Sequence, residues 1–177
     1  MRIIAGSLKG RIFASPKSAK THPMSDKARG GLFNALGDIV GLTILDAFAG
    51  SGALSFEAVS RGAKSVIAIE SDNPAQKVVA ENIRALGLPK QVQLIKASAN
   101  AWLRTTENTQ FEIVICDPPY DDLQPKLLSA LATHVQLGGL LVLSWPGKAE
   151  SPSFEGFEVA AQKDYGDAQL VFYRRIS

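Results

Sequence analysis

The chain has 177 residues, 46% of them hydrophobic and 20% charged, and no run of about 18 apolar residues, so a membrane-spanning helix is excluded. One cysteine, Cys116, and two histidines allow no internal disulfide and no cysteine-rich metal site, so no metal is expected and a reducing, cytoplasmic location fits. The net charge of +2 is uneven: residues 1–29 carry seven Lys/Arg against Asp26, a net +6, while the remainder carries 12 basic against 16 acidic residues, a net −4.

The opening "MRIIAGSLKGRIF" has no long apolar stretch behind its charges and does not read as a signal peptide. It reads as a small hairpin around Gly6 and Gly10, followed by a Pro/Ser/Lys loop and a helix from Asp26 to Leu36. Arg2, Lys9, Arg11, Lys20, Lys27 and Arg29 are the candidates for contacts to a polyanion, because neutralising phosphates releases counterions.

Five apolar runs follow: "TILDAF" at 43–48, "SVIAIE" at 65–70, "VQLIKA" at 92–97, "FEIVIC" at 111–116 and "LLVLSW" at 140–145. Near-continuous apolarity is the mark of strands covered on both faces. Between them the helical period returns at 52–61, 74–86, 98–105 and 124–135, with Asn73 expected as the N-cap before Pro74 and Gly87 as the C-cap. After residue 146, "FEVAAQKDYG" and "AQLVFYRRI" form an antiparallel hairpin around a Gly-Asp turn. The expected fold is α/β, with a doubly wound, mostly parallel sheet of seven strands that the hairpin closes. One domain spanning 1–177 is expected, divided into a basic extension over 1–40 and a core over 41–177.

Two stretches carry chemistry. In "LDAFAGSGALSFEA", Asp46 ends the first core strand and Gly50, Ser51 and Gly52 lead into a helix, so a ligand can approach backbone N–H groups. Glu70 ends the second strand, 18 residues past Gly52, where a carboxylate can accept ribose hydroxyls. A second carboxylate, Asp46, on the same crevice suits an ammonium-bearing ligand better than a pyrophosphate. That favours S-adenosylmethionine over NAD, and no Lys-Ser/Thr follows Gly52 to support a phosphate loop.

The second stretch is "IVICDPPYDD" at 113–122. Pro118 and Pro119 fix the backbone and remove two donors, leaving a stiff turn rich in acceptors. Asp117 and the Pro118 carbonyl can hold both hydrogens of an exocyclic amine, and Tyr120 offers a ring for the base. Cys116, His134, Trp102 and Trp145 are expected in structural positions.

These motifs resemble a class I S-adenosylmethionine-dependent methyltransferase of the amino-methylating kind, whose [D/N/S]-P-P-[Y/F/W] motif is matched by Asp117, Pro118, Pro119 and Tyr120. More narrowly the chain resembles the bacterial RsmD family, through "MRIIAGSLKGR", "THPMSDKARGGLFNAL" and "LDAFAGSGALSFEAVSRGA". The resemblance implies a Rossmann-like fold and methylation of guanine N2 in 16S ribosomal RNA. It further implies that Phe48, Gly50 and Gly52 border the cofactor, that Glu70 holds its ribose and that Ser98 lies near the adenine amine. The chain departs from the family pattern at His22, Met24 and Gly30, where Arg, Thr and Glu are expected. With no separate recognition domain, the expected substrate is an assembled small ribosomal subunit or precursor, met by a monomer. The alternatives are methylation of DNA adenine or cytosine, methylation of a protein glutamine, and a non-catalytic nucleotide-binding module.

Overall fold

The computed structural model describes residues 1–17, 24–106 and 108–177. In chain order the elements are α1 (Asp26–Leu36), β1 (Thr43–Asp46), α2 (Ala53–Ser60), β2 (Ser65–Glu70), α3 (Asn73–Leu86), β3 (Val92–Lys96), α4 (Ala99–Leu103), β4 (Phe111–Cys116), α5 (Pro125–Ala132), β5 (Val135–Pro146), β6 (Phe157–Asp164) and β7 (Ala168–Arg175). The strands form one seven-stranded sheet in the order β3-β2-β1-β4-β5-β7-β6. The first five pair in parallel, and β7 joins β5 and β6 antiparallel.

Alternation along each strand divides the core in two. Ile44, Ile113, Ile115 and Val142 meet Leu32, Phe33, Phe56, Val79 and Ile83, so α1, α2 and α3 cover one face. Leu45, Val114, Cys116, Leu141 and Leu143 meet Trp102, Leu127, Leu128 and Leu131 of α4 and α5 on the other. Both faces are therefore buried, which is why the strands read as continuous apolar runs. Every residue of α2 is buried, including Ser55, Glu57 and Ser60.

Local signals account for most boundaries. Ser25 caps α1, its hydroxyl accepting from the Ala28 N–H at 3.1 Å. The cap of α3 is Asp72 rather than Asn73: its carboxylate accepts from the Ala75 N–H at 3.1 Å, which puts Asn73 and Pro74 inside the first turn. Gly87 ends α3 in the left-handed region, as expected. Strand β5 begins at Val135, five residues before the expected start, because Val135 already pairs with Phe111. Its register with β4 slips before Ile113 meets Leu140, where Gly138 takes a φ of 80°. That early start also shortens α5, which stops at Ala132.

The N-terminal hairpin is present as a single antiparallel bridge between Arg2 and Ile12. Its buried Ile3 and Phe13 join the first core cluster, Phe13 meeting the edge of Phe56 at 5.1 Å. The backbone N–H groups of Ile4 and Ala5 donate to the Glu57 carboxylate at 2.8 and 3.0 Å, and the Ser7 N–H donates to the Ser60 carbonyl at 2.7 Å. This approach is so close that a Cβ on Gly6 would lie 1.8 Å from that carbonyl oxygen. No helix among the described residues is long and apolar enough to cross a membrane.

Candidate active site

Strands β1, β2 and β4 end at one edge of the sheet, and the parallel pairing brings their last residues together. The chain leaving β1 stays strapped to its neighbours: the Ala47 N–H donates to the Ile115 carbonyl at 3.0 Å and the Ala49 N–H to the Ile69 carbonyl at 2.8 Å. The turn into α2 then needs left-handed backbone, which Gly50 (φ 55°) and Gly52 (φ 79°) supply. A Cβ on Gly52 would also sit 2.7 Å from the Phe56 ring. Ser51 is buried in this turn, and Phe48 packs half-buried against the second core cluster.

Glu70 holds the turn from the side. Its Oε2 accepts from the Gly50 N–H at 2.6 Å and its Oε1 from the Asp72 N–H at 2.7 Å. Burial raises its carboxyl above the usual range, with the N–H groups of Asp72, Gly50 and Ser71 working against the shift.

Asp46 is fully buried beneath the turn. Its Oδ2 accepts from the Ser55 hydroxyl at 2.7 Å, while Oδ1 has no hydrogen-bond partner. Burial pushes its carboxyl up to about 7, Ser55 opposes the shift, and the negative charges of Asp117 and Glu70 add to it. Ser55 stands where a third glycine of the dinucleotide fingerprint would be, and here its hydroxyl serves a carboxylate.

Asp117 follows β4 directly and is half-buried, Pro118 is buried, and Pro119 and Tyr120 are exposed. Burial pushes the Asp117 carboxyl up to about 6, with the Ser144 hydroxyl pulling it down. The Tyr120 hydroxyl lies 2.8 Å from Ser144 Oγ, and its phenol is raised by burial. Sequence reasoning does not single out Ser144. Its signal is a lone hydroxyl in the apolar run "LLVLSW", in a residue only 4% exposed. Glu57 is inconspicuous for a similar reason, since a glutamate within a short helix ordinarily marks its solvent face.

The other candidates divide. Ser98 is exposed and caps α4, its hydroxyl accepting from the Ala101 N–H at 3.2 Å. Arg2, Lys9, Arg11 and Lys27 are exposed. Arg29 is not available to a polyanion: it is fully buried, bonded to the Arg2 carbonyl at 2.8 Å and to Asp26 at 2.9 Å, with Glu57 at 3.8 Å. Lys20 and His22 lie outside the described residues. At Gly30 an added Cβ would meet only Ile4 Cδ1 at 4.0 Å, so packing does not require glycine there. At Gly31 it would fall 1.7 Å from the Tyr165 hydroxyl, so a side chain there would have to displace the Tyr165 ring.

Cys116 is buried and its thiol is raised by burial and by the nearby Asp46 and Asp117, which makes it a poor nucleophile. His134 is buried, with Nδ1 at 2.7 Å from the Thr109 carbonyl. Trp102 and Trp145 lie in the second core cluster.

Comparison with known proteins agrees with this architecture. The family model described as "Conserved hypothetical protein 95" matches residues 1–174. "Putative rRNA methyltransferase YlbH" of Bacillus subtilis is 33% identical over 182 residues, covering 99% of each chain. "Ribosomal RNA small subunit methyltransferase D" of Escherichia coli is 36% identical over 121 residues, covering 68% of this chain and 60% of that protein. Among solved structures, "Putative methyltransferase yhhF from Escherichia coli" superposes with a TM-score of 0.89 at 29% identity, covering 99% of this chain and 98% of that one. With a sheet in the order of the class I methyltransferases, a glycine turn beside a strand-terminal carboxylate and an Asp-Pro-Pro-Tyr turn on one edge, the chain belongs to the RsmD family of methyltransferases.

Proposed function

We propose that the protein transfers a methyl group from S-adenosylmethionine to the exocyclic N2 of a guanine in small-subunit (16S) ribosomal RNA. The observation that carries the reading is the stiff turn of Asp117, Pro118, Pro119 and Tyr120 at the same sheet edge as the glycine turn, where the pairing of β1 with β4 sets Asp46 opposite Ile115, two residues before Asp117. An acceptor for an amine and a carboxylate for a ribose thus share one edge, where open α/β sheets bind ligands. The names of the relatives, which specify ribosomal RNA, support the choice of substrate.

The residues present suit the cofactor. The unpartnered Oδ1 of buried Asp46 fits an ammonium group, since an isolated buried acceptor is costly until it gains a donor. Each Glu70 oxygen carries one N–H bond and retains a lone pair for a ribose hydroxyl. Phe48, Ser51 and the positive-φ glycines border the same space, and Ser98 Oγ, which accepts one bond from the Ala101 N–H, retains a lone pair for the adenine amine. S-adenosylmethionine supplies a methyl group activated on a sulfonium.

The protein's part is to hold and polarise the amine. Asp117 and the Pro118 carbonyl accept its two hydrogens, which directs the nitrogen lone pair out of the base plane. Tyr120 supplies the stacking face, and orientation of this kind can contribute about 7 to 11 kcal/mol. As the nitrogen becomes cationic, the fixed carboxylate and carbonyl stabilise it. A carboxyl near 6 is largely ionised above neutral pH and takes the proton that the methylated amine releases. Arg2, Lys9, Arg11 and Lys27 contact RNA phosphates, the target base leaves its stack to reach Asp117, and an assembled particle supplies the remaining specificity to a monomeric enzyme.

The test is incubation with labelled S-adenosylmethionine and, in parallel, unmethylated small ribosomal subunits, naked 16S RNA, DNA and protein factors. Digestion of labelled RNA should yield 2-methylguanosine. Label recovered in methyladenine, methylcytosine or a protein amide would overturn the reading.

A further inference from the structure

The buried hydroxyl of Ser144 serves the Asp117 turn from a different strand. The pairing of β4 with β5 sets Cys116 opposite Leu143, so Asp117, leaving the end of β4, stands beside Ser144, which is still within β5. On its other flank Ser144 pairs with Leu170 of β7, which fixes its backbone from both directions. Its neighbours in β5, Leu140 to Leu143, are apolar, and a hydroxyl so deeply buried persists only where it has partners. Its oxygen lies 2.8 Å from the Tyr120 hydroxyl, and the register of β4 with β5 sets it beside Asp117, whose carboxylate form a donor at that place favours. A hydroxyl carries one hydrogen, so donating it toward Asp117 leaves the oxygen to accept from the Tyr120 phenol.

We propose that Ser144 is a positioning residue for methyl transfer: from β5 it ties the Tyr120 ring to the Asp117 carboxylate and so fixes the stacking plane and the amine acceptor relative to each other. The proposal rests on the reading of Asp117 and Tyr120 as the amine site. Tyr120 is otherwise an exposed ring on a loop, and only its hydroxyl tip reaches the buried serine. With that tip fastened, a base that slides onto the ring arrives with its amine over Asp117. Without it, the ring can swing and the two contacts cease to be made together.

Three variants separate this role from simple packing: Ser144→Ala, Ser144→Thr, which keeps the hydroxyl, and Tyr120→Phe, which keeps the ring and the Ser144 contact to Asp117. The charged or titratable groups that face Asp117 are Asp46 from β1, Cys116 from β4 and Tyr120 from the turn, so its titration is followed directly by the NMR shift of the labelled carboxyl. Ser144→Ala should move the Asp117 midpoint to higher pH, raise KM for the RNA substrate and lower kcat/KM roughly tenfold or more, as expected for loss of one hydrogen bond to a charged group. Ser144→Thr should restore most of both. Tyr120→Phe should raise KM while leaving the Asp117 midpoint near its original value. Cofactor binding by calorimetry should be unchanged in all three. A Ser144→Ala protein with the original midpoint and KM overturns the proposal, as does a Ser144→Thr protein as impaired as the alanine variant. If Asp117→Ala remains active, the amine-site reading itself has failed, whereas an inactive Asp117→Ala beside an unaltered Ser144→Ala fails only the role of Ser144.

Discussion

The Glu70 carboxylate, at the end of β2, accepts a hydrogen bond from the backbone N–H of Gly50 at 2.6 Å, in the turn after β1. One side chain therefore shapes the glycine turn, and in the proposed reading the same carboxylate accepts the ribose hydroxyls of the cofactor. Glu70→Ala should weaken S-adenosylmethionine binding roughly 10- to 100-fold, the equivalent of about 1.5 to 3 kcal/mol for hydrogen bonds to a charged group. Titration calorimetry reads this directly, and an unchanged affinity would remove Glu70 from the cofactor site.

Asp117→Ala should lower kcat about a hundredfold or more, since it removes a fixed charge facing the reacting nitrogen, while cofactor affinity stays within a few-fold. Because the Asp117 carboxyl sits near 6, the native rate should fall as pH drops through that value and the carboxylate is protonated. A rate that stays flat down to pH 5 would mean the carboxylate is not the acceptor.

Asp46 makes a prediction about stability with a definite sign. Its carboxyl is raised from 3.8 to about 7 in the folded protein, so between these values the native state holds a proton that the unfolded chain has lost. The advantage of the protonated form is complete below the ordinary carboxylate value and is lost as pH rises through about 7, a difference on the order of 4 kcal/mol. Asp46→Asn keeps an oxygen for Ser55 and carries no charge, so its stability relative to the native chain should improve from pH 5 to pH 8. Urea unfolding at those two pH values checks it; a constant difference would show that Asp46 is ionised in both states.

Gly6 and Gly10 share a positive φ, and only one of them has a neighbour. A Cβ on Gly6 meets the Ser60 carbonyl, whereas none of the atoms around Gly10 lies within 4 Å of its added Cβ. Gly10→Ala should cost about 1 to 2 kcal/mol, for left-handed backbone alone. Gly6→Ala should cost clearly more and expose the hairpin to proteolysis. Equal losses would mean the hairpin yields without resistance.

Neutralising Lys9, Arg11 and Lys27 together should weaken RNA binding and flatten its salt dependence by about 0.7 to 0.9 in slope for each phosphate left without its cation. Arg29→Gln should leave that slope unchanged and lower stability, because Arg29 is buried among Asp26, Glu57 and the Arg2 carbonyl.

The contrast between Lys27 and Arg29 shows what the sequence could convey. Strand periodicity, the glycine turn and the Asp-Pro-Pro-Tyr turn depend on local spacing, and the structure brings Asp46, Glu70 and Asp117 to one edge as that spacing implies. Burial of a charge depends on partners far along the chain: Arg29 and Glu57 are drawn inside by each other and by the N-terminal hairpin. Ser144 is inconspicuous in the sequence because its significance lies in the register between β4 and β5, which no local pattern reveals. The N-cap of α3 falls one residue before the expected Asn73 because Asp72 and Asn73 are both good caps, and only the bond to Ala75 chooses between them. The start of β5 is hidden by Gly138 and Gly139, which break the apolar run.

Helix α2 begins at the glycine turn and ends at Ser60, a span of about 12 Å at 1.5 Å per residue. Its far half carries Glu57 and Ser60, which grip residues 4–8 of the hairpin. The basic arm is thus held by the same helix that starts at the glycine turn, so a displacement of α2 moves the arm with it. Removing the Glu57 carboxylate should therefore loosen residues 4 and 5 of the arm, whose N–H groups donate to it.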